Sequence, residues 1–415
     1  MTEAVPLRTS GVSALGWACF LAASWTWCIG MFLPVLLIRD FGSPGFWAFL
    51  VPNVVGAGAM GWVLWGRGRA EKITVEHRAA ASVFSAVTLA FQAFFIGWLA
   101  TRVGAWSSTA SWAVQSAWVM GAVVLVATWV CAKRPNAIRW LAALLIFFGL
   151  AVLGTLWFVP AYTPDTAQFA RAASRFSDLL WIAPMMAFGF ALCPYLDLTF
   201  LRARSATSIN GARVAFTVGF GVLFAAMLGL TFVYAGLFIA NLTPADHAVA
   251  APPWVWAILL THLAMQAAFT LALHARAAEQ SSGVGARTPL LILALGAFFV
   301  GFFSDKIPGA GGLTGAEVAY RAFLGCYGLV FPAYVWLVMI PTRDGHAGLT
   351  GANGRRKLLI LAFTIGSAMP LTWMAFIERD EFYAVPGLLI VLLARLALPR
   401  RELAPASRRQ GLEHG

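Results

Sequence analysis

Apolar residues run along this chain in long unbroken blocks, and polar residues are confined to the short gaps between them. Blocks of roughly 20 residues recur from end to end, each long enough to cross a ~30 Å hydrocarbon layer as a helix. The pattern predicts twelve helices, at 13–38, 44–65, 80–100, 112–131, 140–159, 179–201, 214–240, 253–275, 288–303, 322–341, 358–376 and 382–398. No gap is long enough for an extramembrane domain, which needs about 50 residues. The expected fold class is an all-α polytopic membrane protein.

Composition agrees with the pattern. Of 415 residues, 60% are hydrophobic and 11% charged, where a soluble domain is about one quarter charged. The net charge of +12, from 29 basic and 17 acidic residues, sits in the short gaps, where Lys and Arg set orientation. No nucleic-acid partner is expected; the bilayer is the medium. Counted over alternate gaps, Lys and Arg divide 22 to 7, which predicts an inner (plasma) membrane protein with both termini in the cytoplasm. The tail Pro399–Gly415 carries Arg400, Arg401, Arg408 and Arg409, placed to lie on the anionic inner surface. A short polar leader runs straight into the first block with no cleavage site, so the first helix is expected to be its own insertion signal. Cys19, Cys28, Cys131, Cys193 and Cys326 have neither metal spacing nor a disulfide framework. No cofactor or metal is expected.

The chain carries signs of an internal duplication. Leu89-Ala90-Phe91-Gln92-Ala93-Phe94-Phe95 in the third block matches Leu263-Ala264-Met265-Gln266-Ala267-Ala268-Phe269 in the eighth at five of seven positions. Gly30-Met31-Phe32-Leu33-Pro34 in the first block corresponds to Gly189-Phe190-Ala191-Leu192-Cys193-Pro194 in the sixth. The matched blocks are five apart, an odd number, so the two units have inverted topology, an arrangement found in many secondary transporters. Residues 1–160 and 161–341 form the two units; 342–415 hold the eleventh and twelfth helices and the basic tail.

On these features the chain resembles the amino acid–polyamine–organocation superfamily with its LeuT-type five-plus-five inverted fold, and the sodium/solute symporter branch most closely. The resemblance implies alternating access around a site between helices 1, 3, 6 and 8. In sodium-coupled members, helix 1 carbonyls share an ion with helix 8 hydroxyls. Carried over here, that role falls to Thr270, whose neighbours Phe269 and Leu271 offer no second hydroxyl. Proton coupling and facilitated transport therefore stay open beside sodium coupling.

The residues themselves suggest where chemistry could sit. Proline removes a backbone donor and crowds the carbonyl four residues earlier, so Pro34 acts on Gly30, and Pro194 on Phe190 beside Gly189. Unwound turns there would free carbonyls for a cation and helix ends for an anion; simple kinks are the alternative. Asp197, the only acid well inside a predicted block, is a cation ligand or proton carrier, or an interfacial partner of Arg202 or Arg204. His262, Gln266, Thr270 and His274 recur every fourth residue and make one polar stripe, facing either a pathway or a neighbouring helix. His262 lies near mid-bilayer and His274 at the interface; Ser85, Thr88 and Gln92 make a poorer stripe. Pro52-Asn53 could support the first helix or mark a kink, Arg39-Asp40 reads as a local pair, and Trp25 and Trp27 read as packing or pocket wall.

The candidate site is thus Trp27, Cys28, Gly30, Pro34, Gln92, Gly189, Pro194, Tyr195, Asp197, His262, Gln266 and Thr270. The expected function is secondary transport of a small organic solute, with a proton or sodium ion as coupling ion, and no enzyme activity. A membrane sensor or assembly protein that binds a solute without moving it, or an integral membrane enzyme, are the other classes. No nucleotide-binding loop is present to drive transport by ATP.

Overall fold

A computed structural model describes residues 11–66, 68–106, 111–159, 175–242, 251–283, 285, 287–341 and 352–398. The basic tail lies outside the described residues. Among those described, regular structure is helical apart from one isolated bridge between Ala310 and Leu313. The helices are α1 (Gly11–Trp25), α2 (Cys28–Phe41), α3 (Ser43–Val63), α4 (Arg69–Glu76), α5 (Arg78–Trp106), α6 (Ser111–Cys131) and α7 (Pro135–Trp157). They continue with α8 (Phe176–Leu192), α9 (Leu198–Ser205), α10 (Ile209–Leu242), α11 (Pro253–Ser282), α12 (Arg287–Phe302), α13 (Gly315–Met339), α14 (Ala352–Phe376) and α15 (Ala384–Ala394).

Nine of these are long and apolar enough to cross a membrane, and the bent pair α1–α2 makes a tenth. The chain is a polytopic helical membrane protein. The expected ninth and twelfth spans are helices α12 and α15, of 16 and 11 residues, both short of the ~20 that a full crossing takes. The amphipathic α4 was not expected at all. Burial differs sharply among the spans: 78% of the α11 window is buried, against 17% for α6. A hydrocarbon surrounding accounts for the exposure of Trp118, Val119, Val123 and Val126 on α6, which water would disfavour.

The first span is broken, but not where proline predicted. α1 and α2 meet at 58° around Thr26 and Trp27, while Pro34 sits inside a continuous α2. Local chemistry explains the difference. Ser24 Oγ donates to the Leu21 carbonyl at 3.0 Å and Thr26 Oγ1 to that of Ala22 at 2.8 Å, hydroxyl bonds that compete with the helix ladder and bend it. Trp27 is then extended (φ −121°, ψ −169°). Meanwhile the Gly30 carbonyl freed by Pro34 receives the Thr231 hydroxyl at 3.1 Å, so the proline turn is satisfied in place.

The sixth span breaks at Pro194, where the sequence placed it. α8 ends at Leu192, Cys193–Leu196 form one tight turn, and Asp197 caps α9. Gly56 of α3 lies against this segment: a Cβ there would stand 2.4 Å from the Phe190 carbonyl. Small residues allow such backbone-to-backbone approach between membrane helices.

His77, between α4 and α5, is buried with Nδ1 3.0 Å from the Tyr334 hydroxyl. Burial holds its pKa below the ordinary 6.5, outweighing the pull of Glu76 upward and adding to the effect of Lys357 downward. The unfolded chain therefore binds this proton more readily than the folded one, so its contribution is complete above about pH 6.5 and is lost as pH falls below that value. A melting temperature that declines on acidification below about pH 6.5, and declines less in His77→Gln, is the expected result.

Candidate functional site

The two breaks face each other through aromatic rings. Trp25 packs on Trp27 at 5.9 Å between centroids and on Phe200 of α9 at 4.9 Å, which ties the bend in the first span to the second half of the sixth. Asn53 Oδ1 accepts the Trp25 indole N–H at 2.5 Å. Asn53 therefore supports the bend through a side chain, not through freed backbone. Trp27 is itself buried against Phe91 and Tyr327.

Polar groups complete the bend. The Cys28 amide, first in α2, donates to Gln92 Oε1 at 2.9 Å, and Tyr320 donates to the Cys28 carbonyl at 2.9 Å. Tyr234 donates to the Met31 carbonyl at 2.6 Å. The first of these settles a helix-start N–H that would otherwise cost about 1–3 kcal/mol, and the other two give buried tyrosine hydroxyls an acceptor on carbonyls inside α2. Sequence reading found Gln92 but missed Tyr234, Tyr320 and Tyr327. The signal was available: Tyr320 and Tyr327 are two turns apart on one face of α13. Tyr327 pairs its hydroxyl with Thr88 at 2.8 Å, and its carbonyl would stand 2.8 Å from a Cβ on Gly189. Gly189 thus serves as a point of close approach between α8 and α13.

Asp197 does not pair with either expected arginine. Arg204 donates to the carbonyls of Leu64 and Thr207, and Arg202 lies over the Phe20 ring. Instead, Asp197 Oδ1 accepts both the amide and the hydroxyl of Thr199 at 2.7 Å, as an N-cap. Pro194 is buried beside it and Tyr195 is half-buried.

The α11 stripe divides. His262 stacks near Phe148 and lies against Gly149 of α7, so it does not meet Asp197. His274, expected at the interface, is instead fully enclosed, packs on Phe84, and is within electrostatic range of Asp197. The reason is length: 12 residues separate His262 from His274, about 18 Å along the helix, and only the far end reaches the sixth-span break. Gln266 and Thr270 lie between them, fully buried, with no side-chain partner among the described residues.

The two ends of the bundle differ; they are called outer, where α2 finishes, and inner, where α3 finishes, after the orientation expected from charge. At the outer end, Arg39 is no local partner of Asp40 alone. It grips Glu317 with two bonds at 2.6 and 3.0 Å as well as Asp40 at 3.0 Å. Arg321 reaches Asp40 at 2.6 Å and Glu317 at 2.9 Å, and Arg379 reaches Asp40 at 3.3 Å. Three guanidinium groups and two carboxylates thus lock α2, α13 and the segment after α14 together. Beneath them is an apolar cavity of about 40 Å³ reaching Leu37, Gly189 and Tyr327.

The inner end is open by comparison. A vestibule of about 350 Å³ is lined by Glu71, Arg78, Thr199, Arg202, Leu273 and Arg276, among others. Thr199 touches Asp197, and Leu273 precedes His274, so the vestibule reaches the sixth-span break. Among the described residues, no three His, Cys, Asp or Glu side chains converge as metal ligands. No protein-family model matches the chain, and neither a curated protein nor a solved structure matches it.

Proposed function

We propose that the chain is a secondary transporter that moves a small organic solute across the membrane by alternating access. In this reading the solute is held between the interrupted first and sixth spans and the polar faces of α5 and α11, and the chain does no covalent chemistry. One observation carries it: two interrupted spans meet between an outer end closed by ion pairs and an inner end open through a vestibule of about 350 Å³. A rearrangement that exchanges which end is closed would carry a solute from one side to the other.

Two further features support the reading. Gln92 Nε2, both polar atoms of Gln266 and Thr270 Oγ1 are buried without partners among the described residues, and a polar solute would satisfy such groups. The sequence correspondence between the first and sixth spans, and between Gln92 and Gln266, supports two inverted five-helix units, although the first span breaks ahead of the matched proline and the sixth breaks at it.

Purified protein in sealed liposomes, offered radiolabelled amino acids, sugars, nucleobases and carboxylates under an imposed proton or sodium gradient, tests the proposal. Accumulation of one class against its own gradient is expected. A solute that raises the melting temperature yet never accumulates under either gradient would point to a binding protein that does not transport.

A further inference from the structure

The sixth-span break sets two buried ionisable side chains within electrostatic range of each other, behind residues that line the inner vestibule. Asp197 is fully buried; Oδ1 is committed to Thr199, and Oδ2 has no partner among the described residues. His274 is 1% exposed, and its Nδ1 is likewise buried without a partner among them. Chain neighbours of both, Thr199 and Leu273, line the inner vestibule. Resting on the carrier reading above, we propose that Asp197 and His274 form a single proton-binding site, loaded from the inner vestibule, and that the proton is the coupling ion.

Net charge decides which form can be enclosed. Without a proton the pair carries one negative charge; with one proton it is neutral, whether the proton sits on oxygen or nitrogen. A net charge enclosed in a dry interior is strongly disfavoured, whereas a neutral pair is tolerated. The one-proton form is therefore the form that can be sealed from water, and the proton-free form is held where the vestibule admits water. Closing the vestibule takes up a proton, and opening toward a proton-poor side releases it, by linkage. In the uptake step, hydronium in the vestibule gives its proton to Asp197 Oδ2 or a His274 ring nitrogen and leaves as water. No electrons are exchanged.

The surrounding groups leave this pair in control. Cys193 on the same turn and Tyr327 on α13 are a thiol and a phenol, ordinarily neutral at physiological pH, and α5 contributes the untitratable Phe84, Ser85 and Thr88. Arg78, Arg202, Arg276 and Glu71 stand one step outward, on the vestibule wall.

Infrared difference spectroscopy of the full chain in lipid, titrated from acid to alkaline pH, tests the site without any knowledge of the solute. A carboxylic-acid stretching band should titrate in the wild type and vanish in Asp197→Asn, which keeps a competent helix cap. His274→Gln should displace its midpoint by at least about tenfold in proton concentration, while His262→Gln leaves it in place. A band that survives Asp197→Asn, or a midpoint indifferent to His274→Gln, would overturn the inference, and the latter decides alone should the Asn variant not fold. Either failure leaves the carrier reading standing, since accumulation in liposomes is a separate measurement. A titrating pair in a protein that accumulates nothing would sink the carrier reading and the coupling role with it.

Discussion

Glu317→Gln is expected to unseal the outer end of the protein. In the wild type, Glu317 accepts two bonds from Arg39 and shares Arg321 with Asp40. The substitution leaves three guanidinium groups facing one carboxylate. Breaking a fully buried pair costs about 3–5 kcal/mol. Here the Arg39 and Arg321 side chains are 21% and 11% exposed, and water screens part of that, so about 2 kcal/mol is the expected loss. That shifts the balance between sealed and open forms by a factor of roughly 30. In a cysteine-free background, Leu37→Cys on the outer cavity wall should react with a membrane-impermeant thiol reagent at least about tenfold faster once Glu317→Gln is added. Arg39→Lys should fall between, because an ammonium cannot make the two-pronged contact with Glu317. Unchanged reactivity in both would mean that the ion pairs seal nothing.

A valine at Gly301 is expected to be strongly destabilising. A Cβ on Gly301 would stand 2.0 Å from the Phe94 carbonyl oxygen, and one on Gly97 would stand 2.1 Å from that of Phe298. α5 and α12 therefore cross backbone on backbone, and neither carbonyl can yield as a flexible side chain would. Forcing them apart costs on the order of 3 kcal/mol and removes the packing that holds the 16-residue α12 in place. Gly97→Val should do similar harm, and the double variant little more than either alone, because one separation relieves both clashes. Gly296 lies on the same helix with nothing within 4 Å of its Cβ position, so Gly296→Ala should leave the thermal unfolding midpoint unchanged or raise it. Equal midpoints for Gly301→Val and Gly296→Ala would refute the close crossing.

What could be read from the sequence was local, and what could not was long-range. The span predicted at 44–65 is helix Ser43–Val63, and that predicted at 112–131 is Ser111–Cys131, because apolar block length alone sets such limits. The break at Pro194 was legible because proline acts within its own turn. The break in the first span was misplaced by several residues, since Thr231, 201 residues from Gly30, satisfies the carbonyl that Pro34 frees. The bend fell instead where Ser24 and Thr26 hydroxyls and distant Gln92 offered other partners. Burial of Gln92 and Asp197 could be anticipated from their apolar surroundings; that one would hold the Cys28 amide and the other cap α9 through Thr199 within electrostatic range of His274 could not. Arg39 looked like a neighbour's partner because Glu317 is 278 residues further on.

The central claim is that the two interrupted spans let the protein open at one end only at a time. Two single-cysteine reporters measure this together: Leu37→Cys at the outer cavity and Leu273→Cys in the inner vestibule, each labelled from its own side with and without Glu317→Gln. The account predicts an exchange: the wild type labels at Leu273→Cys and resists at Leu37→Cys, and the Glu317→Gln background reverses both. Reporters that label at both ends at once, or an outer reporter that gains reactivity while the inner one loses none, would contradict it.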